Sequence, residues 1–205
     1  MKNKTTKSQW TILMSACICA LGAGALQGAV LLTSFETAGE LFPETATNTP
    51  VTQSTLHATH GSYSMAMGIA SDDWSWSGKT YGEAEYAAWR SNTTMTIDLT
   101  RVTGANGANL EFVIAINGAQ GWHQAQLVNW TWQNENLTSS LTLEWDYSAI
   151  AAAAPASNTW WQLNIMARSG QANQTVYLDN IQFVPEPSAG LLGLAGLGLL
   201  LRRRR

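Results

Sequence analysis

Cysteine and basic side chains are scarce in this chain. Its two cysteines, Cys17 and Cys19, both lie near the N-terminus, and residues 30–187 carry only four basic side chains against 14 acidic ones. The net charge of that segment is −10. Such a surface repels phosphate backbones, which excludes nucleic acid as a partner, and it suits neutral or cationic glycans or divalent cations. The four basic residues are Lys79, Arg90, Arg101 and Arg168.

The N-terminal 29 residues have the organisation of a secretory signal peptide. Three lysines precede an apolar stretch, small residues follow it, and cleavage is expected after Ala29. A retained anchor and a lipoprotein modified at Cys17 are weaker alternatives, because the stretch ends in small residues and continues apolar past the cysteine. Once this segment is removed no cysteine remains, so disulfides and thiolate metal sites are excluded.

Motifs of common enzymes are also missing. There is no Gly-x-Ser-x-Gly elbow and no His-Glu-x-x-His zinc motif. His57 and His60 lack companion ligands and are predicted to be loop residues. Acidic pairs exist, but a glycosidase needs two carboxyls facing each other across a cleft, which sequence spacing alone does not establish. The sequence therefore predicts a protein that is not an enzyme, with a glycan hydrolase or lyase as the alternative.

The C-terminal segment, residues 184–205, has three parts in a fixed order. A stiff polar tetrapeptide comes first, 14 mostly apolar residues follow, and four arginines end the chain. As a helix the apolar part would span about 21 Å, less than the roughly 30 Å of a bilayer core, which suits a transient anchor better than a permanent one. The tetrapeptide is Val184, Pro185, Glu186 and Pro187, and the arginines are Arg202, Arg203, Arg204 and Arg205.

This order of motif, short hydrophobic helix and arginine cluster resembles the PEP-CTERM sorting signal of exported proteins in Gram-negative bacteria. The resemblance implies processing by an exosortase, after a transient stay in the inner membrane. It further implies delivery to the cell surface or the extracellular matrix, where exopolysaccharide is produced. The alternative is an ordinary single-pass tail anchor.

Residues 30–183 have the composition and the alternation of an all-β domain. Trp, Thr, Asn, Ser and Gly are abundant, and apolar and polar residues alternate in short runs separated by turn residues. About eight strands are predicted, with a short helix over residues 147–154 and loops around residues 74–76 and 121–123. An all-β jelly-roll sandwich is therefore expected. The predicted strands are residues 30–35, 62–70, 95–99, 110–116, 124–132, 141–145, 161–167 and 175–183.

A second resemblance comes from the two ends of this domain. It opens with Ser-Phe-Glu at residues 34–36, continues with His-Gly-Ser-Tyr-Ser at residues 60–64, and closes with Val-Tyr-Leu-Asp-Asn-Ile at residues 176–181. This order resembles galactose-binding-like jelly rolls, which include carbohydrate-binding modules. The resemblance implies a structural calcium held by Glu36, Asp179 and backbone carbonyls near Gly61.

Asp179 draws attention on physical grounds as well. It alternates with Tyr177, Ile181 and Phe183, which places it on their expected inward face. A buried carboxylate needs a hydrogen-bonding partner or a metal, and its hard oxygens suit calcium. The alternative is an Asp179 that is exposed or that merely accepts backbone hydrogen bonds.

Nine tryptophans fall in the domain, and alternation sorts them. Trp145 and Trp161 are in phase with buried leucine and isoleucine positions and are predicted to be core. The others stand beside Gln, Asn, Asp or Ser, as sugar recognition requires, because an indole stacks on the apolar face of a sugar while amides bind its hydroxyls. Apart from Trp89, the remaining tryptophans are the carbohydrate-binding candidates, namely Trp74, Trp76, Trp122, Trp130, Trp132 and Trp160.

The sequence thus predicts an exported protein that binds or organises exopolysaccharide without catalysing a reaction. The competing interpretation is a structural surface or matrix protein whose tryptophans are all buried and which binds no glycan.

Overall fold

The computed structural model of the chain describes residues 28–45, 49–69, 73–101, 110–130, 139–170 and 174–185, without the side chains of Thr45, Asn129, Trp130 and Ser139. Ala29–Glu186 form one compact unit that contains every described residue of the hydrophobic core. We therefore expect this unit to fold by itself. Nearly all of the predicted signal peptide, and the sorting signal beyond Pro185, lie outside the described residues. Within the described part no helix is long and apolar enough to cross a membrane.

Eleven strands and two helices form within these ranges, together with a 3-10 turn at Ala38–Glu40. The helices are α1 (Glu83–Arg90) and α2 (Ser148–Ala153), the second of which confirms the predicted short helix. The strands are β1 (Val30–Thr33), β2 (Glu44–Thr45), β3 (Val51–Ser54), β4 (Ser64–Ile69), β5 (Ser75–Tyr81), β6 (Thr94–Arg101), β7 (Leu110–Gly118), β8 (His123–Trp130), β9 (Ser139–Asp146), β10 (Trp161–Ser169) and β11 (Gln174–Val184).

The strands pair into two antiparallel sheets that pack face to face. One sheet has the order β3-β4-β11-β6-β9, and β1 pairs with the second half of β11 on the edge where β4 pairs with the first half. The other sheet has the order β2-β5-β10-β7-β8. This arrangement confirms the predicted all-β sandwich of the jelly-roll class.

Strict alternation on the central strands builds the core between the sheets. Met95, Ile97 and Leu99 of β6 point inward and are buried, as predicted, and so are the even-numbered residues 110–116 of β7. At one end the core is aromatic. The Trp161 ring lies 6.1 Å from that of Trp89 and 6.0 Å from that of Phe183, and Trp145 is also buried, so both tryptophans predicted to be core are confirmed.

Residues 75–81 form strand β5 where the sequence predicts a loop at residues 74–76. The first two inward positions of this strand are Ser75 and Ser77, which are buried, whereas the aromatic Trp76 lies on the outer side. The Ser77 hydroxyl donates to the carbonyl of Phe42 at 2.8 Å, so the polar core position is satisfied. The strand therefore lacks the apolar alternation on which a sequence-based prediction depends.

Asp179 does not share the inward face of Ile181 and Phe183, and the prediction that it does is wrong. The register of β11 against β6 shifts between Asp179 and Gln182, and Asn180 has a positive φ of 52°. This bulge reverses the alternation, so that Val176 and Leu178 before it point inward and Asp179 points outward. It is nevertheless only 1% exposed, because the loop at residues 55–63 covers it.

Candidate functional site

The outer side of the five-stranded sheet collects polar and aromatic side chains, and we call this surface the polar face. Its members are the residues of β5, β10, β7 and β8 that point away from the core, together with Glu44 of β2. In register order they are Trp76, Gly78 and Thr80 on β5; Gln162, Asn164, Met166 and Arg168 on β10; Glu111, Val113, Ala115 and Asn117 on β7; and Gln124 and Gln126 on β8.

The middle of the polar face is a low floor. Asn164 stands between Gly78 on one neighbouring strand and Ala115 on the other, and Asn164 and Ala115 are both buried. A Cβ on residue 78 would clash with the Asn164 side-chain oxygen, so a larger residue there would displace the Asn164 side chain. Small residues at the centre with larger ones at the edges give the face a trough.

A chain of hydrogen bonds fixes the side chains along this floor. Asn164 Nδ2 donates to Gln162 Oε1 at 3.0 Å, and Gln162 Nε2 donates to Glu44 Oε2. The second oxygen of Glu44 accepts the Thr80 hydroxyl at 2.8 Å. The amides are therefore held in one orientation before any ligand arrives, which lowers the entropy lost on binding.

The far end of the face carries an ion pair under an indole ring. Arg168 and Glu111 are direct neighbours on β10 and β7, and one guanidinium nitrogen of Arg168 lies 2.7 and 2.8 Å from the two Glu111 oxygens. The Arg168 guanidinium carbon is 5.0 Å from the centre of the Trp74 ring, a cation–π distance. One face of Trp74 is therefore covered by Arg168.

The candidate tryptophans divide between described and undescribed positions. Trp122 is 49% exposed and Trp74 is 37% exposed, and Trp160 directly precedes β10 with 45% exposure. Trp122 Nε1 donates to Gln124 Oε1 at 3.0 Å, which holds the indole over the β8 edge of the face. A bulge in β8 places Trp130 in register with Leu110, and its side chain is not described. Trp132 lies outside the described residues.

Trp76 and Trp122 stand at opposite corners of the polar face. Trp76 lies across the sheet from Gln126, because the pairs Trp76–Met166, Met166–Val113 and Val113–Gln126 are in register. Three strand spacings separate β5 from β8, and Trp122 precedes Gln126 by four residues. With about 4.8 Å between strands and about 3.3 Å per residue, the two backbones are roughly 20 Å apart along a diagonal. This distance accommodates several consecutive sugar residues of an extended chain.

The face does not offer the carboxyl pair of a glycosidase among its described residues. Glu44 and Glu111 are three strands and four residues apart by register, again roughly 20 Å between backbones. Retaining and inverting glycosidases need about 5–10 Å between their two carboxyls. Both carboxylates also accept hydrogen bonds from neighbouring side chains.

The two carboxylates predicted to hold calcium, Glu36 and Asp179, both accept hydrogen bonds from the loop at residues 55–63. Glu36 Oε1 accepts the backbone N–H groups of Ser62 and Tyr63 at 2.9 and 3.0 Å, close against Gly61. Gly61 has a φ of 74° and no room for a Cβ beside the Glu36 carboxylate, so glycine is required at this position.

Asp179 binds the preceding part of the same loop. Its Oδ2 accepts the N–H groups of Thr59 and His60 at 2.6 and 2.7 Å, and its Oδ1 accepts the N–H of Asn180. Burial raises the pKa of Asp179, and these hydrogen bonds oppose the rise only in part. The Thr59 hydroxyl also contacts Asp98, the neighbour of Asp179 on β6, at 2.6 Å.

These contacts do not match the donor set of a cation site. The loop presents N–H groups, the positive ends of peptide dipoles, to both carboxylates, whereas calcium needs converging oxygens. Among the described residues no group of three or more His, Cys, Asp or Glu side chains is placed to hold a metal ion. Each carboxylate thus has partners without a cation, and the calcium site stays a prediction.

Asp179 either accepts hydrogen bonds from the loop or also binds calcium, and the effect of replacing it depends on calcium only in the second case. We expect Asp179→Ala to lower the melting temperature of the Ala29–Glu186 unit by several degrees in calcium and in chelator alike, because the loop loses the hydrogen bonds that Thr59 and His60 donate to a buried carboxylate, at about 1–3 kcal/mol. Thermal unfolding followed by circular dichroism measures this. A stabilisation of the wild type by calcium that both Glu36→Ala and Asp179→Ala remove would instead establish the ion site.

Comparisons with known proteins support the architecture. No family model and no curated protein sequence matches the chain. A structure from a study of promiscuous specificity in carbohydrate-binding modules of the β-sandwich superfamily superimposes with a TM-score of 0.51 at 19% identity. That alignment covers 76% of this chain and 62% of the other.

Two further structures are similar along nearly their whole length. A family 11 carbohydrate-binding module from Clostridium thermocellum, in complex with a β-1,3-1,4-mixed-linked tetrasaccharide, has a TM-score of 0.49 at 13% identity and aligns over 77% of this chain and 96% of its own. A xylan-binding domain from Paenibacillus barcinonensis has a TM-score of 0.48 at 15% identity, over 78% and 99%. All three identities are below 20%, and the likeness to the first structure, with its TM-score of 0.51, concerns the fold alone.

Proposed function

We propose that the protein is a non-enzymatic carbohydrate-binding module whose polar face binds a polysaccharide chain. The observation that carries this proposal is the collection of exposed indoles and fixed amides on one side of one sheet. The chain lies diagonally across the trough, between the Trp76 and Trp122 corners. Indole rings stack on the apolar faces of sugar rings, and the amides of Gln162 and Gln124 exchange hydrogen bonds with hydroxyl groups, while the buried Asn164 holds Gln162 in place.

The fixed network explains how a shallow site gains affinity. An amide carries donors and an acceptor, so it matches a hydroxyl that both donates and accepts. Because Gln162 is already held between Asn164 and Glu44, it loses little rotamer freedom when a sugar binds. The acidic surface around the trough repels anionic polymers and leaves neutral ones unaffected.

Affinity electrophoresis tests the proposal and identifies the ligand class. The Ala29–Glu186 unit is run through gels that contain one soluble polysaccharide each, including β-glucan, xylan and the producer's own exopolysaccharide. We expect retardation by at least one polymer and none in its absence. Unchanged migration through every gel would overturn the binding function and favour a structural surface protein.

We further propose that the chain is exported and then sorted by its C-terminal signal. The signal peptide directs it through the inner membrane, the segment after Pro187 holds it there transiently, and an exosortase removes this tail. The mature unit then reaches the cell surface or the extracellular matrix. The order of the motif, apolar segment and arginine cluster supports this route, which would bring the polar face to exopolysaccharide.

Substitution of the motif tests this route. Pro185, Glu186 and Pro187 are replaced by alanine, while Val184 is kept because it ends β11. In a host that has an exosortase we expect the wild type in the surface or extracellular fraction and the variant retained in the membrane fraction at precursor size. Pro43→Ala, in an exposed loop, serves as the control. Equal tail removal from wild type and variant would contradict the assignment of the motif.

A further inference from the structure

Among residues 30–187 the polar face has a single basic side chain. Residues 30–187 contain only four basic side chains. Lys79 donates to the carbonyl of Gly39 at 2.7 Å, Arg90 extends from α1 to the carbonyl of Ala154, and Arg101 is buried at the end of β6. Only Arg168 stands on the polar face. Any anionic group bound there would have to be recognised by this one guanidinium.

Arg168 is already committed to a carboxylate. Both oxygens of Glu111 lie within 2.8 Å of its terminal nitrogen, and the Trp74 ring lies over its guanidinium carbon. The pair is partly exposed, with 43% of the Arg168 side chain and 26% of the Glu111 side chain accessible, so a ligand can reach it. A second carboxylate that approaches Arg168 also approaches Glu111, whose negative charge repels it.

We infer that Glu111 is a specificity-determining residue that makes the polar face selective for neutral glycans over uronic acid polymers. This inference rests on the proposed function and deepens it. Glu111 neutralises the one guanidinium that could bind a uronate, and Glu44 adds a negative charge farther along the trough. Arg168 and Trp74 remain in place around Glu111, so the site needs only the loss of that carboxylate to accept an anionic sugar. A guanidinium then binds the incoming carboxylate through two parallel hydrogen bonds.

The test is a specificity change in Glu111→Gln. Glutamine keeps the size and a hydrogen-bonding oxygen for Arg168 but removes the charge. The Ala29–Glu186 unit and its variants are run through gels containing polygalacturonate and through gels containing the neutral polymer that retards the wild type. We expect the wild type to pass polygalacturonate unretarded, and Glu111→Gln to bind it roughly tenfold or more tightly, the factor that one charge-assisted hydrogen bond supplies. Added salt should weaken this new binding.

Two variants distinguish an effect of the Glu111–Arg168 ion pair on affinity from an effect of the net charge of the protein. Glu144→Gln removes one negative charge from an exposed position of β9 on the other sheet, and it should gain no affinity for polygalacturonate. The double variant Glu111→Gln with Arg168→Gln lacks the guanidinium and should lose the gain. If Glu111→Gln fails to fold, Glu111→Thr, which suits a strand, replaces it.

The outcomes distinguish this inference from the function on which it rests. If a neutral polymer retards the wild type but Glu111→Gln gains no affinity for polygalacturonate, the role of Glu111 is overturned and the binding function is not. Retention of the wild type by polygalacturonate also overturns the role of Glu111. No retention of the wild type by any polymer overturns the function itself.

Discussion

Replacing Trp161 by alanine is expected to lower the free energy of unfolding of the Ala29–Glu186 unit by about 3–5 kcal/mol. The side chain is fully buried, and its ring lies 5.2 Å from that of Tyr81 and 6.1 Å from that of Trp89. Truncation therefore removes a large apolar surface and leaves a cavity between the sheets. Urea denaturation, with an unchanged m-value, measures the effect.

The adjacent residue provides a matched control. Trp160 is the same residue type one position earlier, and it is 45% exposed. Trp160→Ala is expected to change the free energy of unfolding by less than about 1 kcal/mol. Equal losses for the two variants would contradict the alternation that assigns one tryptophan to the core and the other to the surface.

Replacing Trp76 and Trp122 together by alanine is expected to weaken polysaccharide binding by roughly a thousandfold, since each buried aromatic anchor of an interface contributes about 2 kcal/mol. The two indoles stand at opposite corners of the trough, so each stacks on a different sugar and their losses should nearly add. Titration calorimetry with the polymer identified by electrophoresis measures the affinity, and circular dichroism establishes that the variant is folded.

The control for this variant lies on the other sheet. Leu31 and Leu141 are exposed apolar residues of β1 and β9, outside the polar face. Their joint replacement by alanine removes exposed apolar side chains in the same way and should leave the affinity unchanged. Loss of binding in the leucine variant, or full binding in the tryptophan variant, would move the site away from the polar face.

Strands in which apolar and polar residues alternate are predicted correctly from the sequence. Elements that lack this alternation are missed. β6, β7 and β10 bury every second residue, and their positions and inward faces are predicted correctly. β5 buries two serines, one of which donates to the carbonyl of Phe42, and the two-residue β2 is too short to show a period. Helix α1 buries only Tyr86 and Trp89, one turn apart, and gives too weak a helical pattern for prediction.

Bulges limit prediction on otherwise regular strands. The extra residues at Asp179–Asn180 in β11 and at Leu127 in β8 each shift the register by a residue, which moves every later side chain to the opposite face. A bulge depends on the partner strand, which a single sequence does not identify. For this reason Asp179 is assigned to the wrong face, and Trp130 pairs with Leu110 in the strand β7.

The sequence proposes the residue types of the candidate site but does not give their contacts. Tryptophans beside Gln and Asn indicate sugar recognition, and Trp122 next to Gln124 fulfils this pattern through a direct hydrogen bond. Glu111 and Arg168 are 57 residues apart, and only the pairing of β7 with β10 brings them together. Glu44 reaches Gln162 across 118 residues for the same reason.

The most direct test of the account is to map the bound polymer on the protein. In the Ala29–Glu186 unit labelled with nitrogen-15, NMR titration with an oligosaccharide of that polymer follows the side-chain amides of Gln124, Gln126, Gln162 and Asn164 and the indole N–H of Trp122. We predict that these signals shift together and saturate, while those of the six-stranded sheet, such as Gln53 and Gln182, do not move. Shifts confined to the six-stranded sheet or to the α1–α2 end would contradict the assignment of the polar face as the glycan-binding site.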